Sequence, residues 1–167
     1  ISSFSDDLRE LGVKETTKII KKGVEEAKEQ VARKLVLGQN GKVVAISRLR
    51  TGDKVPFIYE ESFLPYFTFR EILEMDLTAS MYQILYERFN ITLARSEQTI
   101  RAFNLKGRIA TYLDVPENTA AFFMESLTYD ENNCPVELLY SYYRGDKYVF
   151  EVELSRYHIK ENPLHEE

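Results

Sequence analysis

The sequence predicts an α+β fold in which a single antiparallel β-sheet is flanked by helices. Three observations point there. Residues 42–64 hold two β-rich runs joined at Thr51-Gly52-Asp53-Lys54, a strong hairpin signal. Residues 119–155 hold three more such runs, separated only by the turns at 130–134 and 144–147. Turns that short cannot supply the crossover that parallel neighbours need, so the strands form an antiparallel meander. Segments with helical spacing lie between these blocks.

In chain order, Ser3-Phe4-Ser5-Asp6 opens a short helix. Ser3 or Ser5 caps it, Asp6 and Asp7 suit its positive end, Phe4, Leu8 and Leu11 share a face, and Gly12 stops it. Residues 16–23 are β-rich. Ala27, Val31 and Leu35 have helical spacing, with Gly38 beyond. The hairpin strands follow at 42–51 and 55–64, and Pro65 ends the second. Residues 69–75 read as a short helix, and Thr78-Ala79-Ser80 as the cap of a helix over 81–89. A strand over 93–103 and a helix over 106–113, ending before Pro116, lead into the meander strands 119–129, 136–143 and 148–155. The two halves share a helix-then-hairpin rhythm without a close sequence repeat.

The totals bound the function. The chain has 167 residues, 44% of them hydrophobic, which suits one domain with a real core. Seven glycines and five prolines leave no low-complexity tract. The net charge of −5 argues against a nucleic-acid surface. The lysines of 14–22 and 28–34 are offset by Glu15, Glu25, Glu26 and Glu29 and read as solvated faces. Eleven tyrosines and ten phenylalanines alternate along strands and read as sheet and core packing; a base-stacking platform is the sharper alternative, which the acidic balance opposes. The single cysteine, Cys134, has no partner for a disulfide or a zinc site, so a reducing cytoplasm is the expected compartment. No apolar run approaches the roughly 20 residues of a membrane span. The opening Ile1-Ser2-Ser3-Phe4 resembles neither a signal peptide nor a translation start, and the chain is expected to be a piece of a longer protein.

Catalytic and metal arrangements are thin. His158 and His165 lie beyond the last strand, with no Ser/His/Asp or Cys/His pairing, no metal-ligand spacing and no Gly-rich phosphate loop. The reading is therefore no enzyme, no metal and no cofactor. Arg48 and Arg50 carry more. Two apart on a strand, both leave one sheet face with Cα atoms roughly 6.5–7 Å apart. Their planar forks can converge on one phosphate or carboxylate. Solvated arginines, or ion pairs with nearby carboxylates, remain the alternatives at this point. Ser80 begins a helix, where free N–H groups favour an anion, or it is an ordinary cap; Tyr82 lies one turn in. Glu60, on the return strand, and Glu137 and Tyr143, on one face of 136–143, either hydrogen-bond a ligand or pair internally with Arg48, Arg50 or Arg144.

These residues, in this order, resemble the UTRA ligand-binding domain of the HutC subfamily of GntR transcriptional regulators. The resemblance runs from Ser3 to Tyr157. It rests on Ser3-Phe4-Ser5-Asp6-Asp7-Leu8 with Gly12, on Ile46-Ser47-Arg48-Leu49-Arg50 followed by Tyr59-Glu60-Glu61-Ser62-Phe63-Leu64-Pro65, on Ser80-Met81-Tyr82, and on Pro135-Val136-Glu137 through Tyr142-Tyr143-Arg144-Gly145-Asp146. Met81 stands where the family's motif has leucine, and Ser5 where relatives often have threonine. The resemblance implies a chorismate-lyase-like fold and an effector-sensing, dimerising domain of a repressor over residues 1–167. It implies a small anionic effector, most typically a sugar phosphate or amino-sugar phosphate. Arg48, Arg50, Ser80 and Tyr82 would hold the phosphate, and Phe4, Ser5, Glu60, Glu137 and Tyr143 the rest. DNA would be met only through a winged helix–turn–helix that this chain lacks. A chorismate-lyase-like enzyme acting on a small aromatic acid, and a purely structural dimerisation module, are the competing readings.

Overall fold

The computed structural model describes residues 15–150. They form one six-stranded sheet with strand order β1-β2-β3-β6-β5-β4, every neighbouring pair antiparallel. The strands are β1 (Glu15–Glu26), β2 (Lys42–Gly52), β3 (Val55–Pro65), β4 (Leu93–Asn104), β5 (Ala120–Asp130) and β6 (Pro135–Arg144). Helices α1 (Glu29–Lys34), α2 (Tyr66–Phe69), α3 (Met81–Phe89) and α4 (Gly107–Tyr112) connect them, with a 3-10 turn over Arg70–Glu74. This is the α+β, single-sheet class that the turns and periodicities predict.

The β2–β3 hairpin closes at Asp53-Lys54, both with positive φ (49° and 71°), the two-residue geometry that matches strand twist. The short helix after β3 begins at Tyr66, three residues before the expected position, because Pro65 stops the strand and presets the helical turn. The long connection from β3 to β4 then crosses one face of the sheet and returns at the far edge. It lays α2, the 3-10 turn and α3 on that face. Met81, Ile84 and Leu85 of α3 pack with Val44, Ile46, Leu64, Phe69, Ile72 and Leu77. Their i, i+3, i+4 spacing gives α3 its buried stripe, and Asn90, left-handed at φ 54°, closes it.

The opposite face is covered at its two ends. Helix α1 buries Val31 against Val43, Leu127 and Leu138, while α4 buries Ala110 with Leu49, Tyr59 and Leu113. Helices on both faces bury eight consecutive residues of β2, 43–50. Its polar residues are therefore interior, where an alternating reading leaves one face wet.

One expectation fails in part. A third meander strand over 148–155 would need an open edge beside β6, but β6 is already paired with β3 and β5. The chain turns at 145–147 and residues 148–150 form no strand; Tyr148 and Phe150 pack on Tyr143 instead. The remainder of that expected strand, and the helix expected over 3–11, lie outside the described residues.

Candidate functional site

Strand register builds the site. Arg48 stands opposite Glu60, and Glu60 opposite Ser141. Arg50 stands opposite Ile58, and Ile58 opposite Tyr143. Ser62 pairs with Leu139, and Glu137 with Thr128. The period of two therefore places Arg48, Arg50, Glu60, Ser62, Glu137, Ser141, Tyr143 and Thr128 on the face that α3 crosses. A bulge at Val136 sits beside Glu137, and Val136 packs into the α3 cluster.

Both arginines are interior, their side chains 4% and 6% exposed, which rules out a solvated strand face. Arg48 Nη2 donates to Glu60 Oε2 at 2.9 Å, and Arg50 Nη1 stands 3.5 Å from the same oxygen. Arg50 Nε also donates to Glu15 Oε1 at 2.6 Å, and its Nη2 meets that oxygen as well. Burial alone would lower the pKa of Arg50; Glu60 and Glu15 outweigh it and hold it above the ordinary value. Arg48 Nη1 reaches Ala79 O, 3.4 Å away, at the start of α3. That contact ties the arginine pair to the helix N-terminus. Ser80 occupies the cap position, yet its hydroxyl makes no capping bond. Asp76 and Thr78 make the local turn instead, through Oδ1 contacts of 3.0 and 2.6 Å.

The second half of the site is polar and unsatisfied. Glu137 is 1% exposed, and neither carboxylate oxygen has a hydrogen-bond partner. Burial lifts its pKa above the ordinary carboxylate range and nearby Glu60 adds to the lift; Ser62 and Arg48 pull the other way without reversing it. Ser62 stands near enough for that influence but makes no hydrogen bond of ordinary geometry. Ser62 Oγ, Ser141 Oγ and Arg48 Nε are likewise buried without partners. The phenol of Tyr82 is pushed up to about 12, first by burial and then by Glu137, with Thr128 and Arg48 opposing. That set of neighbours places Tyr82 over the stripe between the arginines and Glu137. Tyr143, 3% exposed, is raised by burial and by Glu60, with Ser141, near it but without a hydrogen bond of ordinary geometry, and Arg50 opposing, and it packs on Tyr148 and Phe150.

Seven of the nine residues singled out from sequence thus gather on or beside one face: Arg48, Arg50, Glu60, Ser80, Tyr82, Glu137 and Tyr143. Phe4 and Ser5 lie outside the described residues. Sequence reasoning missed Ser62, Ser141 and Thr128, all fully buried, and Glu15 as a partner of Arg50. A serine on a strand is unremarkable until register shows it beside an unpaired carboxylate. Glu15 was read as part of a solvated face.

On the other face a groove of about 790 Å³ opens between α1 and α4, floored by Tyr59, Glu61, Tyr140 and Tyr142. Tyr59 donates to Glu61 there at 3.2 Å. Among the described residues, the buried carboxylate lacking any partner is Glu137, on the arginine face. No group of three or more His, Cys, Asp or Glu among the described residues is placed to hold a metal ion. No helix among them is long and apolar enough to cross a membrane.

Comparison with known proteins agrees with the fold. The family model described as the UTRA domain matches residues 10–149. The HTH-type transcriptional repressor NagR of Bacillus subtilis is 26% identical over 151 residues, which cover 90% of this chain and 62% of NagR. The chain therefore spans less than two thirds of that relative's length. The effector domain of PhnF from Mycobacterium smegmatis has a TM-score of 0.86 at 24% identity, over 92% of this chain and 95% of that one. A GntR-family transcriptional regulator from Enterococcus faecalis has a TM-score of 0.77 at 25% identity, over 83% and 99%.

Proposed function

The chain belongs to the UTRA domain family, and on that premise we propose that it senses a small anionic metabolite for a GntR-type repressor of the HutC subfamily. The effector of this proposal is a sugar phosphate or amino-sugar phosphate. The observation that carries it is the set of buried polar atoms without partners: Arg48 Nε, both Glu137 oxygens, Ser62 Oγ and Ser141 Oγ. A buried acceptor or donor left unpaired costs about 1–3 kcal/mol, and more when charged. Several on one face, beside two arginines, describe a site completed by something that binds.

In this reading Arg48, Arg50, Ser80 and Tyr82 hold the anion, using two planar forks, a helix N-terminus and a phenol that stays protonated. Glu60, Glu137 and Tyr143 read the hydroxyl or amino groups attached to it. Phe4 and Ser5 complete the site on the strength of the family resemblance alone. The same resemblance supports one domain over residues 1–167, a homodimer in the cytoplasm, and DNA contact through a separate N-terminal winged helix–turn–helix. The site binds without turnover, and a ligand shifts the protein only as far as it prefers one arrangement over another.

Thermal-shift titration with glucose 6-phosphate, glucosamine 6-phosphate, inorganic phosphate and unphosphorylated glucose tests the proposal. At 100 times its Kd a ligand adds about 2.7 kcal/mol, a rise of roughly 5–11 °C at about 2–4 °C per kcal/mol for a domain of this size. Saturable stabilisation by a phosphorylated compound, lost in Arg48→Ala, is expected. If no anion stabilises the wild type and Arg48→Ala leaves every melting curve unchanged, the anion site is wrong. Steady turnover of chorismate would move the chain to the enzyme class.

A further inference from the structure

Arg50 already holds a carboxylate that can leave. Its Nε and Nη2 both meet Glu15 Oε1, while Nη1 faces Glu60 at 3.5 Å. The cluster Arg48, Arg50, Glu60 and Glu15 contains two positive and two negative groups. An anion arriving at arginines already met by carboxylates gains little, unless one carboxylate gives way. The two carboxylates are not equivalent. The Glu60 side chain is 3% exposed, on a strand paired on both sides; moving it would drive a charge into the core. The Glu15 side chain is 16% exposed, and Glu15 is the first residue of β1, an edge strand paired on one side only. It stands diagonal to Arg50, because Thr17 pairs with Arg50 and Glu15 with Gly52. Guanidinium forks accept a carboxylate or a phosphate with the same geometry.

We propose that Glu15 is a built-in competitor for the effector's anion: it occupies Arg50 until an anion binds, and its displacement loosens the first residues of β1. The inference rests on the anion-site reading above and adds a regulated element to it. Linkage makes the effect reciprocal. What the anion spends on displacing Glu15 lowers its apparent affinity, and whatever releases the start of β1 raises that affinity. The strand is the element through which occupancy of the pocket is communicated to the chain preceding it. Beyond Glu15, the one side-chain tie near that end is a 2.6 Å hydroxyl contact between Thr16 and Thr51, among the described residues. The rest of the hold there is the backbone ladder to β2, on one side only.

Two substitutions separate displacement from simple charge removal. Glu15→Gln removes the charge. Glu15→Asp keeps it but shortens the side chain by one methylene, which withdraws it from Arg50. NMR titration of the whole chain with inorganic phosphate reads affinity, and hydrogen exchange reads those amides among Thr16, Thr17 and Lys18 that bond to β2 and are protected in the free protein. Both variants are expected to bind phosphate about tenfold more tightly than wild type, a change of about 1.4 kcal/mol. Saturating phosphate should speed exchange at those amides in wild type by several-fold. In the variants they should exchange fast from the outset and not respond. Tightening in Glu15→Gln alone would reduce Glu15 to a background charge and overturn the latch, as would wild-type amides that slow or do not change. If phosphate binds neither wild type nor variants, the anion site itself fails and the latch falls with it. If phosphate binds all three equally, the site stands and only the latch is lost.

Discussion

Glu137→Gln should make the protein more stable at neutral pH while weakening its hold on the effector. The wild-type carboxylate is 1% exposed with both oxygens unpaired, and burial is the main cause that raises its pKa. A carboxyl raised in the folded state stabilises the fold fully only below its unfolded value, about 4.3 for glutamate. That contribution is lost as pH rises through the folded value. Each unit of elevation costs about 1.36 kcal/mol once both states are ionised. Leaving a buried acceptor unsatisfied costs about 1–3 kcal/mol, more for a charge. Glutamine keeps the shape, removes the titration, and brings two N–H donors beside Ser62, whose hydroxyl has no partner.

Urea unfolding at pH 4.5, 6 and 7.5 checks this. The variant should exceed wild type by about 1–3 kcal/mol at pH 7.5. The gap should narrow as pH falls from 7.5 toward 4.5, because the raised carboxyl takes up its proton in the folded protein before it does in the unfolded chain. Equal m-values would locate the change in stability and not in the denatured state. A variant that is less stable than wild type at pH 7.5, with a gap independent of pH, would refute the reasoning. It would mean that Glu137 has a satisfied partner in the folded chain, and the argument from unpaired polar atoms would lose its strongest member.

Two further substitutions probe the frame that carries the site. Lys54→Gly should raise unfolding free energy by about 0.5–1 kcal/mol, because Lys54 holds φ 71° in the β2–β3 turn, where a side chain is strained and glycine is not; urea midpoints of the two proteins measure it. Gly145→Ala should lower stability by about 1–3 kcal/mol, read as a drop in urea midpoint at constant m, since an added Cβ would stand 2.8 Å from Ala120 O, a backbone atom of β5 that cannot step aside.

Local chemistry made most of the frame legible. The hairpin at 42–64 is written in its turn residues, and α3 in the spacing of Met81, Ile84 and Leu85. Strand order is not written there. The expectation of a strand from 148 failed over the described residues 148–150 because β6 is taken on both sides, a fact of topology that no window of sequence contains. Burial of β2 was equally hidden. Arg48 and Arg50 read as partly buried or wet, and only helices on both faces make them fully interior. For the site, the arginine pair was legible because two guanidiniums two residues apart are distinctive on any strand. Whether carboxylates answered them was left open, and the structure pairs Arg48 and Arg50 with Glu60, and Arg50 with Glu15. Ser62, Ser141 and Thr128 became visible only through register, since their meaning lies in what stands across from them.

The stripe these residues form has unlike ends, and that limits what can complete it. Toward β1 and β2 it is cationic, and its charges are met by Glu60 and Glu15. Toward β6 and β5 it offers acceptors: the Glu137 carboxylate, and hydroxyls that run on through Thr128, Ser126 and Ser96, where Ser96 Oγ and Ser126 Oγ meet at 2.7 Å. A bare anion satisfies the first end and leaves the second as costly as before. A neutral polyol does the reverse. Only a molecule that carries an anion at one end and hydrogen-bond donors at the other removes both deficits at once. On the proposed reading, such a bipolar ligand is the one this stripe would select. The preference would follow from a core that folds with its polar groups incompletely paired, the free energy withheld from stability being recovered when the proposed ligand binds.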